Sequence, residues 1–278
     1  MLTSITTLAL SLTLSGSAIW LGPKPPQEVK RIVSLAPSMT EVLFALELGE
    51  HVVGVTRYAT WPEAVKKIPK VGGFIDPDLE SIVALKPDLV LAIPTSGGAD
   101  RIRQIAGLGL SVLVLPAKTL DELWSAITFL GEFLHKDLQA QNLTTSMQKD
   151  LAALRTQASR RQPKRALVAL GHKPMVVAGP GSFVDSLLSA ISLVNVIERG
   201  GTFPHIDLEA LVRFKPDLIL DMTLKSEAAS HAFWKSVPML HIQDGKDVIV
   251  LHDDALLRPG PRLINGLKEL LAILWRDS

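Results

Sequence analysis

The sequence predicts an α/β protein of two similar lobes, each built on a central parallel sheet, joined by a single long α-helix, with a ligand cleft between the lobes. Three observations carry this prediction. A fourteen-residue segment occurs twice, as DLESIVALKPDLVL at 78–91 and DLEALVRFKPDLIL at 207–220, with nine identities and no gap. Short apolar runs precede each copy and lead into a loop and an amphipathic helix, and a long stretch of helical periodicity separates the copies. Strands alternating with helices argue for parallel sheets, and 278 residues suit two domains at roughly 100 to 200 residues each.

Residues 1–22 read as an export signal, with an uncleaved anchor or a misassigned start codon as the alternatives. Leu8, Leu10, Leu12, Leu14, Ile19 and Trp20 lie among Ser and Thr with no charge before Lys24, and Gly16, Ser17 and Ala18 supply small residues for cleavage. The run lacks a Lys or Arg ahead of it, and it is short for a membrane span, which needs about 20 strongly apolar residues. Residues 23–27 follow as a linker. The expected product is a soluble periplasmic protein.

The first lobe is expected at 28–118. RIVSL at 31–35 is a buried-strand candidate, and the next loop contains Pro37 and Ser38. Ser38 with Glu41 three residues on forms a capping box for the following helix; a plain helix start and backbone N–H groups aimed at a ligand are both open readings. Tyr58, the only tyrosine, lies in a turn-like stretch, TRYATWP, where packing has less use for an aromatic. Phe74 follows Gly72-Gly73, six residues ahead of Glu80 in the first turn of the repeat helix. In each repeat copy Lys-Pro-Asp breaks the helix and an apolar run starts a strand.

Residues 119–162 read as the linking helix. Leu123, Ile127, Leu130, Leu134, Leu138, Leu143, Met147, Leu151 and Leu154 are spaced by three to five residues. Thr119 is placed to cap the start, Asp121 and Glu122 lie in the first turn, and Arg155, Arg160 and Arg161 crowd the end before Pro163. Unbroken, it would run about 60 Å and act as a strut.

The second lobe is expected at 163–278. RALVAL at 165–170 matches the first lobe's strand, and Gly179-Pro180-Gly181-Ser182 matches its loop but lacks the third glycine of a dinucleotide fingerprint. Phe203, after Gly200-Gly201, stands six residues ahead of Glu209, as Phe74 stands ahead of Glu80. Two loop aromatics at equivalent places point to a clamp for a bulky apolar ligand, with packing under a glycine loop as the alternative. Asp254 and Arg258, four apart ahead of the last helix, either bracket polar groups of a ligand or form a surface ion pair. Glu80 and Glu209 suit helix N-termini on dipole grounds alone; their duplication also fits two acids docking on a two-fold partner.

Composition excludes other classes. Lys and Arg total 29 against 28 Asp and Glu, net +1, with no basic run interleaved with aromatics, so no nucleic-acid footprint exists. With no cysteine the chain has no disulfide, no thiolate metal site and no lipid-modified cysteine anchor. His51, His135, His172, His205, His231, His241 and His252 form no pair at metal-ligand spacing; convergence of His172, His205 and His252 is the remoter reading, a metal-binding protein or enzyme. No nucleophile elbow, P-loop or H-E-x-x-H is present, so no catalytic residue is assigned.

The segments RIVSLAPSMTEVLFALELGEHVVGVT, KIPKVGGFIDPDLESIVALKPDLVLA, DLEALVRFKPDLIL and RPGPRL resemble the helical-backbone substrate-binding proteins of ABC importers, most nearly the cobalamin-binding branch, over about residues 28 to 275. The resemblance implies a monomer that holds a corrinoid in a shallow cleft and passes it to a membrane-embedded permease dimer with its ATPase subunits, without a cofactor or chemistry of its own. Tyr58 matches a ligand-contacting tyrosine, Phe74 and Phe203 stand where the family often has tryptophan, and Asp254 and Arg258 match a polar pair near the corrin side chains. Glu80 and Glu209 match two acids that meet permease arginines. Haem and ferric siderophores use the same scaffold: Tyr58 could serve haem iron, whereas a siderophore site wants several arginines and only Arg258, with Arg57, is placed to supply them.

Overall fold

The computed structural model of the chain describes residues 18–94, 98–237 and 247–275. Residues 1–17 of the expected signal and His241 lie outside them. The chain divides into two compact units, Met1–Pro116 with Phe129–Lys136, and Ala117–Thr128 with Asp137–Ser278. Among the described residues no helix is long and apolar enough to cross a membrane.

The first unit contains β1 (Ile19–Leu21), β2 (Ile32–Ser34), β3 (Val52–Val55), β4 (Leu89–Ala92) and β5 (Val112–Val114), ordered β1-β5-β4-β2-β3. Strands β2 to β5 pair in parallel; β1 runs antiparallel to β5, with Trp20 opposite Leu113. Every residue of β2, β4 and β5 is buried, as continuous Ile, Val and Leu runs in parallel sheets covered on both faces should be. Helices α1 (Pro37–Ala45), α2 (Leu79–Ala84) and α3 (Ala99–Gly107) accompany the sheet. Val33, Leu35, Ile82, Val90, Ile105 and Val112 form the core. Ile19–Leu21 form an edge strand, and the Ser111 hydroxyl donates to the Pro23 carbonyl at 2.8 Å, holding the chain beyond it.

Helices α4 (Leu120–Phe133) and α5 (Asp137–Ala158) replace the single rod expected over 119–162. The capping inference holds: Thr119 Oγ1 accepts from the Glu122 N–H at 3.2 Å, and the Glu122 carboxylate accepts from the Lys118 N–H at 2.6 Å. The break has a definite cause. His135 adopts φ 56°, and the Lys136 N–H reaches back to the Gly131 carbonyl at 2.7 Å, the six-to-one bond of a Schellman ending. Histidine tolerates the left-handed region better than most side chains, so no glycine announces the stop.

The second unit contains β6 (Lys164–His172), β7 (Met175–Val177), β8 (Leu193–Asn195), β9 (Leu218–Asp221) and β10 (Val248–Val250), ordered β10-β9-β6-β7, with β8 also paired to β6. Its pairs are parallel except for the β6–β7 hairpin. Helices α6 (Phe183–Ala190), α7 (Leu208–Phe214), α8 (Glu227–Lys235) and α9 (Leu263–Leu274) complete it, around Leu167, Val177, Leu211, Ile219, Trp234 and Val248.

The repeat is α2-turn-β4 and α7-turn-β9, and the duplication extends to individual bonds. Asp78 and Asp207 cap the helices, accepting from Glu80 and Ser81 N–H groups in one copy and from the Ala210 N–H in the other. Lys86 and Lys215 take left-handed φ values of 45° and 47° ahead of the proline, which disfavours right-handed helix in the residue before it. Asp88 accepts from the Lys30 and Arg31 N–H groups, and Asp217 from that of Arg165. Arg31 and Arg165 each donate to carbonyls ending the repeat helix, Leu85 and Phe214 respectively, so strand start and helix end are stapled alike in both units.

Candidate functional site

In the first unit the carboxyl end of β2 turns directly into α1. The Ser34 hydroxyl donates to the Ala36 carbonyl and accepts from Thr40 Oγ1 at 2.9 Å, fixing the turn with buried groups. The expected capping box is not formed. Ala36 is the N-cap without a side-chain bond and Pro37 is the first helical residue, where its missing N–H costs nothing. Ser38 therefore falls one position inside the helix, with its side chain buried, as is Glu41. In the second unit the serine does cap its helix: Ser182 Oγ accepts from the Asp185 N–H at 3.1 Å, while the Asp185 carboxylate reaches one residue ahead of the cap, to the Gly181 N–H at 3.2 Å.

Beyond β3 the chain enters the Tyr58 loop. Lys70 pins it by donating to the Ala59 and Val65 carbonyls at 3.2 and 3.0 Å, and partial desolvation holds the Lys70 ammonium below its usual pKa. Tyr58 is 47% exposed and Phe74 38%, and their rings meet edge to face with centroids 6.5 Å apart. The Arg57 guanidinium lies 5.2 Å over the Tyr58 ring and bonds Asp76 at 2.5 Å. The bond to Asp76, then that to Tyr58, raises the Arg57 pKa, and the same Arg57 bond is the main reason the Asp76 carboxyl is held below its ordinary range. Phe74 owes its place to the Gly72-Gly73 turn: Gly72 has φ 86°, and a Cβ on Gly73 would stand 2.0 Å from the Asp76 carboxylate. Trp61 and Ile75 add exposed apolar surface on the same loops.

In the second unit Phe203 is 58% exposed on a loop laid against β7. The Val177 and Gly179 N–H groups donate to the Pro204 and Thr202 carbonyls, and the Ile206 N–H to Met175, so backbone bonds flank the aromatic on both sides. A Cβ on Gly179 would come within 2.1 Å of the Gly201 carbonyl, which is why glycine occupies that crossing. Asp254 and Arg258 are brought together as an ion pair, each side chain 18% exposed. They are not alone: Arg262 bridges Asp253 at 2.8 Å and Asp254 at 2.5 Å, and Asp253 caps the short 3-10 turn through the Ala255 N–H at 2.7 Å. Glu80 and Glu209 both sit exposed in the first turns of α2 and α7.

The histidines of the remoter reading are not grouped. His172 is buried against Asp221, its Nε2 2.7 Å from the carboxylate, and stacks on Phe233 with centroids 4.0 Å apart. His205 pairs with Val176 as an isolated bridge, and exposed His252 lies 3.9 Å from Glu227. Among the described residues no three His, Cys, Asp or Glu side chains are grouped to hold a metal ion. The sequence reading missed Asp76, Lys70 and Arg262 as supports of the candidate residues. Only Arg262, four after Arg258 in RPGPR, left a spacing signal; the Arg57–Asp76 contact joins residues nineteen apart across two loops.

A model of the family described as periplasmic binding protein matches residues 32–243. The chain is 33% identical over 261 residues to the uncharacterized ABC transporter substrate-binding lipoprotein YvrC of Bacillus subtilis (strain 168), covering 91% of this chain and 82% of that one. Among solved structures it is similar to the periplasmic vitamin B12 binding protein BtuF of Vibrio cholerae, with TM-score 0.78, 26% identity, and 90% and 99% of the two chains covered. It is likewise similar to a periplasmic heme binding protein from Pseudomonas aeruginosa, with TM-score 0.79, 27% identity, and coverage of 90% and 94%.

Proposed function

The chain belongs to the periplasmic binding protein family, and on that premise we propose that it captures cobalamin or a related corrinoid outside the cytoplasm and delivers it to an ABC permease dimer with its ATPase subunits. The observation that carries this reading is the presence, on each unit, of an exposed aromatic held by backbone bonds and glycine turns: Tyr58 with Phe74, and Phe203. Large aromatic faces kept out of the core at a cost in solvation suit a broad, largely apolar ligand. Burial of that ligand contributes roughly 25 cal/mol per Å² of apolar area, less the entropy of binding. Pro37 and Ser38 at the start of α1, and Asp254 with Arg258, are the polar contacts of this reading, and the vitamin B12 binding neighbour supports the choice of ligand. Glu80 and Glu209 are the permease-docking acids, and the protein acts as an exported monomer without chemistry on its ligand.

A haem ligand is the second reading, favoured by exposed Tyr58 beside Arg57 and by the heme binding neighbour. Calorimetry against cobalamin, cobinamide, haem and a ferric hydroxamate separates the readings. Heat from the corrinoids and none from the others is the expected result; haem binding with an iron–tyrosinate absorption band, and no corrinoid uptake, overturns it.

A further inference from the structure

We propose that the Arg57–Asp76 pair is a specificity element that selects a ligand rimmed with uncharged carboxamides over one rimmed with carboxylates. This deepens the cobalamin reading and rests on it. Cobalamin carries primary carboxamides around its macrocycle, whereas haem carries propionates.

The argument is one of charge and hydrogen-bond inventory. A primary carboxamide offers one acceptor oxygen and two N–H donors, so its complement is a donor beside an acceptor with no net charge. Arg57 and Asp76 form that complement: the guanidinium bonds Asp76 through Nη2 and has further N–H groups, and the carboxylate has lone pairs beyond the bond it accepts. The pair stands beside the candidate aromatics, with the guanidinium over the Tyr58 ring and Tyr58 against Phe74. Its side chains are 47% and 57% exposed, open to a ligand that docks on those rings. The neighbouring charges preserve the balance, since Arg101 acts on Asp76 and Asp78 together. A carboxylate arriving here meets a cation whose charge Asp76 already matches, and meets Asp76 itself, a like charge that disfavours it.

The second unit holds its polar residues in the same state. Asp253 and Asp254 are matched by Arg258 and Arg262. In both places the paired charges cancel, Arg57 against Asp76 and the two arginines against Asp253 and Asp254.

The test uses one macrocycle with one group changed: cobalamin against its monocarboxylates, in which a peripheral propionamide is hydrolysed. The wild-type protein should bind cobalamin about tenfold more tightly, the scale of one charge-assisted hydrogen bond gained or lost at a partly exposed site. Asp76→Asn leaves the Arg57 cation unmatched and should remove or invert that preference, with the gained carboxylate affinity falling as salt is raised. Gly73→Ala separates the pair by intrusion of its Cβ, leaves both charges in the chain, and should narrow the preference without the salt dependence. An Asp76→Asn protein that binds cobalamin and keeps the wild-type preference overturns the inference while leaving the cobalamin reading intact. A wild-type protein that binds no corrinoid overturns that reading; the pair is then judged on haem against its bis-carboxamide, where equal affinity overturns it as well. Binding of neither macrocycle overturns both.

Discussion

Replacing Asp221 by asparagine should unfold the second unit's core far more readily than any comparable surface change. The carboxylate is fully buried and accepts four hydrogen bonds: from His172 Nε2 and Trp234 Nε1 at 2.7 Å each, and from the Thr223 N–H and hydroxyl at 3.0 and 2.7 Å. Asparagine keeps one acceptor oxygen. If that oxygen serves Thr223, the amide nitrogen faces two buried donors, one on the fully buried Trp234 and one on His172, which is clamped between Phe233 and Trp234. Each unsatisfied buried donor costs about 1 to 3 kcal/mol, and breaking a buried pair on one side costs about 3 to 5 kcal/mol, so the expected loss is about 3 to 5 kcal/mol. Urea unfolding followed by tryptophan fluorescence measures it. A loss under about 1 kcal/mol refutes the argument. The effect also has a pH signature. Burial pushes the Asp221 carboxyl up, but the Thr223 bonds, then Trp234 and His172, outweigh it and hold the group below the usual aspartate value. A carboxyl with a lowered folded pKa contributes stability that is complete above the unfolded value, about 3.9, and is lost as pH falls through the folded value. The gap between wild type and Asp221→Asn should therefore be widest near neutrality and narrow below about pH 4.

The duplicated staples offer a paired comparison. Asp88→Ala removes two backbone bonds and Asp217→Ala one, so the first should cost about 2 kcal/mol and the second about 1 kcal/mol in the same unfolding assay. Glu80→Ala combined with Glu209→Ala should abolish transport in reconstituted vesicles and leave ligand affinity in calorimetry unchanged; reduced affinity would place the two acids at the ligand instead of the permease.

Much of the architecture was legible in the chain. The exact spacing of the DLE and KPD elements announced two copies of helix, turn and strand, because both the Asp caps and the Lys-Pro breaks act within a few residues of themselves. Runs such as LVLA and LILD announced buried strands for the same local reason. The failures share a different cause. Ser38 and Glu41 had capping-box spacing, but the proline between Ala36 and Ser38 moved the helix start back. The stop at His135 depended on a left-handed histidine that composition does not mark. The pairing of Ile19–Leu21 left no mark in the sequence, because an edge strand acquires its identity from β5, more than ninety residues away.

The sequence by itself determined the doubled α/β plan, the helical stretch between the copies and the absence of any thiol, because propensity, periodicity and composition are properties of short segments. Only the tertiary structure decided that Arg57 meets Asp76, that Arg262 ties Asp253 to Asp254, and that His172 is sealed against Asp221 and Trp234. Those contacts join side chains that lie between eight and sixty-two residues apart, and a charge finds its partner only once the sheet and loops have fixed the distance between them.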